Sequence, residues 1–217
     1  MSEQLAGYLD PTDTASETNG LEFVISSLIG RVATITVAKV LAVTNSGGAS
    51  AVGFVDVQPM VHQVDPNGKP TPHGTINHLP YVRVQGGTSA VILDPKVGDI
   101  GLVGFCSRDI SAVKRQKAPA APGSRRQHDW ADGIYIGGIL NGVPNEYIRF
   151  SSTGVDIVTP HHLTITADNA TLDASGNFVV KGEVTAKSGA SQVLLTQHIH
   201  SGVSSGIGTS GAPVPGT

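Results

Sequence analysis

Charged side chains make up only 14% of this 217-residue chain, aromatics only 5%, and cysteine occurs once. Each scarcity excludes something. Lys and Arg number 14 against 17 Asp and Glu, for a formal net charge of −3. No nucleic-acid partner is expected, because phosphate binding requires clustered Lys and Arg. A lone cysteine forbids an intrachain disulfide. Cys106 sits in the apolar run GLVGFC and reads as a small core residue. No run approaches the ~20 apolar residues of a membrane-spanning helix. Residues 1–20, MSEQLAGYLDPTDTASETNG, show no basic, apolar, small-residue progression, so no signal peptide is visible. The chain reads as soluble, and any action outside the producing cell needs a carrier. Charge also ends early: no Asp, Glu, Lys or Arg follows Lys187.

What is abundant is glycine (27) and proline (13). Both are poor helix formers, and together they suit short strands joined by tight turns. Residues 1–20 read as a flexible arm. From Leu21 the pattern is strand-like, with LIGRVATITVAKVLAV rich in β-branched residues. DPNG (65–68) and DPKVGD (94–99) are turn signals between extended segments. The basic, Pro-rich stretch AVKRQKAPAAPGSRRQ (112–127) reads as a solvated surface loop. About five short strands interrupted by one long loop suggest a small Greek-key barrel of the OB-fold kind over residues 21–143.

After NGVPNEY the texture changes. Ile148/Phe150, Val155/Ile157, Leu163/Ile165, Leu172, Phe178/Val180 and Val184 lie at even spacing within runs separated by Gly or Asn. Each run has one apolar face, and the repetition suggests a solenoid shaft over residues 144–190. Strands so short and narrow cannot cover their own stripe. Other copies of the chain are the simplest cover, which implies an intertwined homo-oligomer.

Three patterns imitate chemistry. GVSSG (202–206) fits the G-x-S-x-G string with Ser204 as nucleophile, but no Asp, Glu or His follows it and Gly/Pro excludes the helix that elbow needs. NAT (169–171) spells a glycosylation acceptor without a signal peptide to deliver it. Adjacent His161 and His162 point to opposite faces of any strand and read as exposed turn residues. His198 and His200 differ. At i and i+2 they project from one face of a strand, yet two ligands do not close a metal shell. If three chains meet around an axis, two imidazoles from each supply six nitrogens and the shell is complete.

A barrel, a repeating β region, then HIH and the tail SGVSSGIGTSGAPVPGT resemble the central spike and spike-tip proteins of contractile phage tails, the membrane-piercing baseplate family. The segments VDVQPMV (55–61), PKVGD (95–99) and RRQHDWADGIYIGGIL (125–140) are similar to its barrel portion. The resemblance spans roughly residues 21–217 and implies an all-β chain with four parts. These are the arm (1–20), an OB-fold that docks on the tail hub (21–143), a three-chain β-helix shaft (144–190) and a metal-bound apex (191–217). It implies a homotrimer with one iron(II) held by His198 and His200 of three chains, nickel or zinc being second choices. The localisation implied is the virion tail baseplate, assembled in the host cytoplasm, with transient contact to the host outer membrane. No lysozyme-like insert is visible, so no enzyme is expected. Competing readings are the spike of a non-viral injection machine, an OB-fold binding module, and an H-x-H metalloenzyme, which would need an open coordination position.

Overall fold

The computed structural model describes residues 11–45, 47–65, 67–186 and 193–194. A 3-10 turn at Pro11–Thr14 leads into helix α1, Glu17–Ile29. Ser16 starts the helix: its Oγ accepts the Asn19 N–H at 3.2 Å, satisfying one of the donors a helix leaves open at its first turn. Glu17 places negative charge at the positive end of the helix dipole. The Asn19 amide donates back to the Thr12 carbonyl at 2.7 Å, tying the 3-10 turn to the helix. The strand-like reading from Leu21 is therefore corrected for residues 21–29. A local cap and apolar residues at helical spacing outweigh the β-branched content there.

Extended structure starts at β1 (Ile35–Val43), followed by β2 (Phe54–Pro59), the ribbon β3 (Gln63–Val64) and β4 (Pro70–Thr71), then β5 (Ile76–Pro80). A second ribbon, β6 (Val84–Gly86) and β7 (Ser89–Val91), precedes β8 (Ile100–Phe105), helix α2 (Ser111–Gln116), a 3-10 turn (Trp130–Asp132) and β9 (Gly133–Gly138). The hairpin β10 (Tyr147–Ser151) and β11 (Gly154–Val158) comes next, and β12 (Thr185–Ala186) pairs with β13 (Val193–Leu194). The chain is mostly β-structure with few helices, as an all-β class requires.

Five strands form the largest sheet, in the order β5-β2-β1-β8-β9 with every joint antiparallel. Register shifts at Val40/Ala42, Val55/Val57 and Leu102/Val103 bend it as β-bulges do. The bent sheet brings its own edges together. Tyr81, just beyond β5, forms a parallel bridge with Tyr135 of β9, and the Val82 N–H donates to the Tyr135 carbonyl at 2.8 Å. Inside lie Ala38, Val40, Val55, Val57, Ile76, Leu79, Tyr81, Val103 and Tyr135. In β2 burial alternates residue by residue, the signature of a strand with one buried face. Gly133 lets the core press against backbone: a Cβ there would meet Val103 at 2.9 Å and Leu79 at 3.2 Å.

The turn signals fold as read. Asp65 Oδ1 accepts the Asn67 and Lys69 amides at 2.9 and 2.8 Å, between β3 and β4. Asp99 Oδ2 accepts the Lys96 amide at 2.8 Å, with Gly98 at φ +98°. Arg83 and Asp94, each 3% exposed, pair through Nη2 at 2.6 Å, and Arg83 Nη1 donates to the Ser50 carbonyl at 2.6 Å.

The chain falls into two compact units that divide between Val158 and Thr159. In the second, no residue from Thr159 to Val184 lies in a helix or strand. The short strands expected around Leu163, Phe178 and Val184 are not formed within one chain. A strand must hand its N–H and C=O groups to a neighbour, and among the described residues no segment pairs with 159–184.

Candidate assembly surface

The hairpin β10–β11 shows how the repeating sequence sorts its side chains. Ile148 stands opposite Ile157, and Phe150 opposite Val155, so the four share one face. They are 64%, 60%, 80% and 58% exposed. On the other face Arg149 donates through Nη2 to Asp156 Oδ2 at 2.8 Å, and its guanidinium lies 5.9 Å from the Tyr147 ring centre. One side is thus wet and internally paired, the other apolar and open. A lone two-stranded hairpin is at best marginally stable in water, and burying each of those four side chains would gain roughly 1–2 kcal/mol. In the second unit Leu163, Ile165, Leu172, Phe178, Val179 and Val180 are likewise exposed. His161 and His162 are exposed too, as the turn reading expects, and the NAT segment is exposed with them.

The expected metal ligands His198 and His200 lie outside the described residues, as does Ser204. Among the described residues no group of three or more His, Cys, Asp or Glu is placed to hold a metal ion. After Lys187 the chain supplies imidazole but neither thiol nor carboxylate.

The basic, Pro-rich stretch is exposed over most of its length, as expected of a surface loop, but departs from a plain solvated loop at its two ends. Its first residues form α2, and near its end Arg126 turns inward to two buried carboxylates. Asp132, fully buried, also accepts the Ile110 amide at 3.1 Å. Asp109 accepts the Ser111 amide at 2.8 Å and the Ser124 hydroxyl at 2.7 Å. Hydrogen bonds from Ser111 and Ser124, with the nearby Arg126 charge, hold the Asp109 carboxyl well below the usual carboxylate range. This clasp closes the loop that carries the 3-10 turn. Trp130 in that turn lies 4.9 Å from the His73 ring and 5.1 Å from Phe105. Cys106 is half-buried rather than core, and burial pushes its thiol pKa up, helped by Asp132. A raised pKa makes the thiol a poor nucleophile.

A cleft of about 360 Å³ lies beside α2, lined by Val52, Phe54, Pro80, Gln85, Lys114 and Lys117. Two lysines and one aromatic wall, with Phe54 already stacked on His78 at 3.8 Å, fall short of the basic groove and stacking platform that single-stranded nucleic acid requires. Compared with known proteins, the sequence matches no family model and no curated sequence.

Proposed function

We propose that this chain is a structural, non-enzymatic, cell-puncturing tip of a contractile tail spike, acting as a homotrimer. The observation that carries the reading is the amphipathic hairpin with its open face of Ile148, Phe150, Val155 and Ile157, followed by a stretch whose large apolar residues are exposed. Soluble monomers rarely leave contiguous apolar patches uncovered. Three interleaved copies would supply both the missing apolar cover and the missing strand partners of residues 159–184, forming a β-helix shaft.

The order β5-β2-β1-β8-β9, with the end of β5 meeting β9 in parallel through Tyr81 and Tyr135, supports reading this sheet as an OB-fold barrel. It supports a compact module that docks on a tail hub. His198 and His200 of three chains would hold one iron(II) at the point. Structural zinc prefers four ligands in a tetrahedron, whereas imidazole also suits iron and nickel. Sheath contraction would drive the point into the host outer membrane. A charge carried into hydrocarbon costs about 2.5–3.5 kcal/mol even on lenient scales, and no Asp, Glu, Lys or Arg follows Lys187. The same device would serve a non-viral injection machine.

The test is mass photometry of the full chain at nanomolar concentration, paired with incorporation into assembled tails. Three chains per particle and localisation to the baseplate are expected. A folded monomer would end the shaft reading.

A further inference from the structure

Helix α1 has an apolar face that its own chain leaves open. Leu21, Val24, Ile25, Leu28 and Ile29 recur at spacings of three and four, so they lie on one side. Their exposures run from 47% at Ile25 to 66% at Ile29, and no α1 side chain is buried. Ser26 lies away from this stripe, Glu22 borders it on the same edge as Ile29, and Glu17 and Glu22 are the only charges on the helix. A helix of 13 residues is marginal in water by itself; packing must supply its stability. A concavity of about 500 Å³ runs along the Val24–Leu28 edge, bounded by Phe23, Ser27, Gly30 and Arg31.

The size of the face decides its occupant. Five side chains fall far below the roughly 20–30 residues a side with which two free proteins hold each other. The occupant must already be held nearby, at the roughly millimolar effective concentration that a second linkage provides. Copies of this chain joined through the shaft meet that condition. The width of the stripe decides their number. With Ile25 at a heptad a position and Leu21 and Leu28 at d, Val24 falls at g, and Ile29 and Glu22 fall at e. That arc is broader than the a/d seam of a two-stranded coil and touches two neighbours.

We propose that the α1 helices of three chains pack on one another along Leu21, Ile25 and Leu28, a second trimer contact at the end of the chain opposite the shaft. The inference rests on the trimer proposed above. It is tested in the full chain with Cys106→Ser as background. Ile25→Cys places a thiol in the seam, and Ser26→Cys places one outside it. Under mild oxidation the first should link pairs of chains at least about tenfold faster, because seam neighbours are held at millimolar effective concentration. Leu28→Cys against Ser27→Cys is a second pair that must agree, and it decides the matter if Ile25→Cys does not assemble. Equal, slow linking in particles that still contain three chains would overturn the bundle and leave the trimer standing. Folded monomers in the Cys106→Ser parent would overturn both.

Discussion

Arg126 grips Asp132 with two nitrogens, Nε to Oδ2 and Nη2 to Oδ1, each at 3.1 Å. The carboxylate is fully buried while the arginine keeps 38% of its side chain exposed. Deleting one partner of such a pair costs most when the charge left behind is buried, and removing Asp132 leaves the partly exposed Arg126 instead. Asp132→Ala should destabilise the first unit by about 2 kcal/mol, below the 3–5 kcal/mol of a fully enclosed pair because Arg126 retains Asp109 and water. Urea unfolding followed through the Trp130 fluorescence measures it. An unchanged midpoint would mean that the clasp does not stabilise the fold.

Asp109 gives the clasp a pH signature. Its folded pKa lies below the unfolded value of about 3.9. Its stabilisation is therefore present at neutral pH and is lost only as pH falls toward the folded value. Asp109→Asn should lower Tm at pH 7, with the gap to wild type constant down to about pH 5 and narrowing below about pH 4. A gap that closed between pH 7 and 5 would point to a different titrating group.

Much of this was legible in the residues. FVDVQP alternates, and its burial alternates with it; DPNG turns because Asp65 can accept two amides and Gly68 can take φ +80°. Other parts were hidden by distance. Nothing local marks Arg126 as the partner of Asp109, because the two meet only after the intervening loop folds back. Nor does β-branched content near Ile25 reveal a helix whose start is fixed by Ser16, five residues before the apolar period begins at Leu21. The exposed face of β10–β11 was readable as an apolar stripe. Its cover is not readable from one chain: in the proposed trimer the pairing groups belong to other copies.

Phe178, 72% exposed, and Val180 form one of the apolar pairs of the repeating segment, and in the proposed trimer they face its axis. Phe178→Asp would bring three like charges together there, at several kcal/mol per ion. Sedimentation should show loss of the three-chain particle while the core around Val57 stays folded by near-UV circular dichroism. Normal assembly of the variant would place Phe178 outside the shaft.

For the apex, elemental analysis of the purified full chain should give one metal per three chains, with iron first. His198→Ala combined with His200→Ala should remove it. Imidazole must be neutral to ligate, so the metal should be released as pH falls below the unperturbed histidine value of about 6.5. One metal per chain, or none in wild type, would refute a shared six-nitrogen site.

The joint between Tyr81 and Tyr135 gives the five-stranded sheet a hem. Four of its seams are antiparallel ladders, while this one is a single parallel bridge. Local opening follows the weakest contacts, so the sheet will gape here before it unfolds elsewhere. Among the described residues the Tyr135 hydroxyl is buried with no protein hydrogen-bond partner, whereas the Tyr81 hydroxyl lies within reach of the Arg83 guanidinium. The native closure therefore rests on the apolar core and on the one Val82–Tyr135 backbone hydrogen bond.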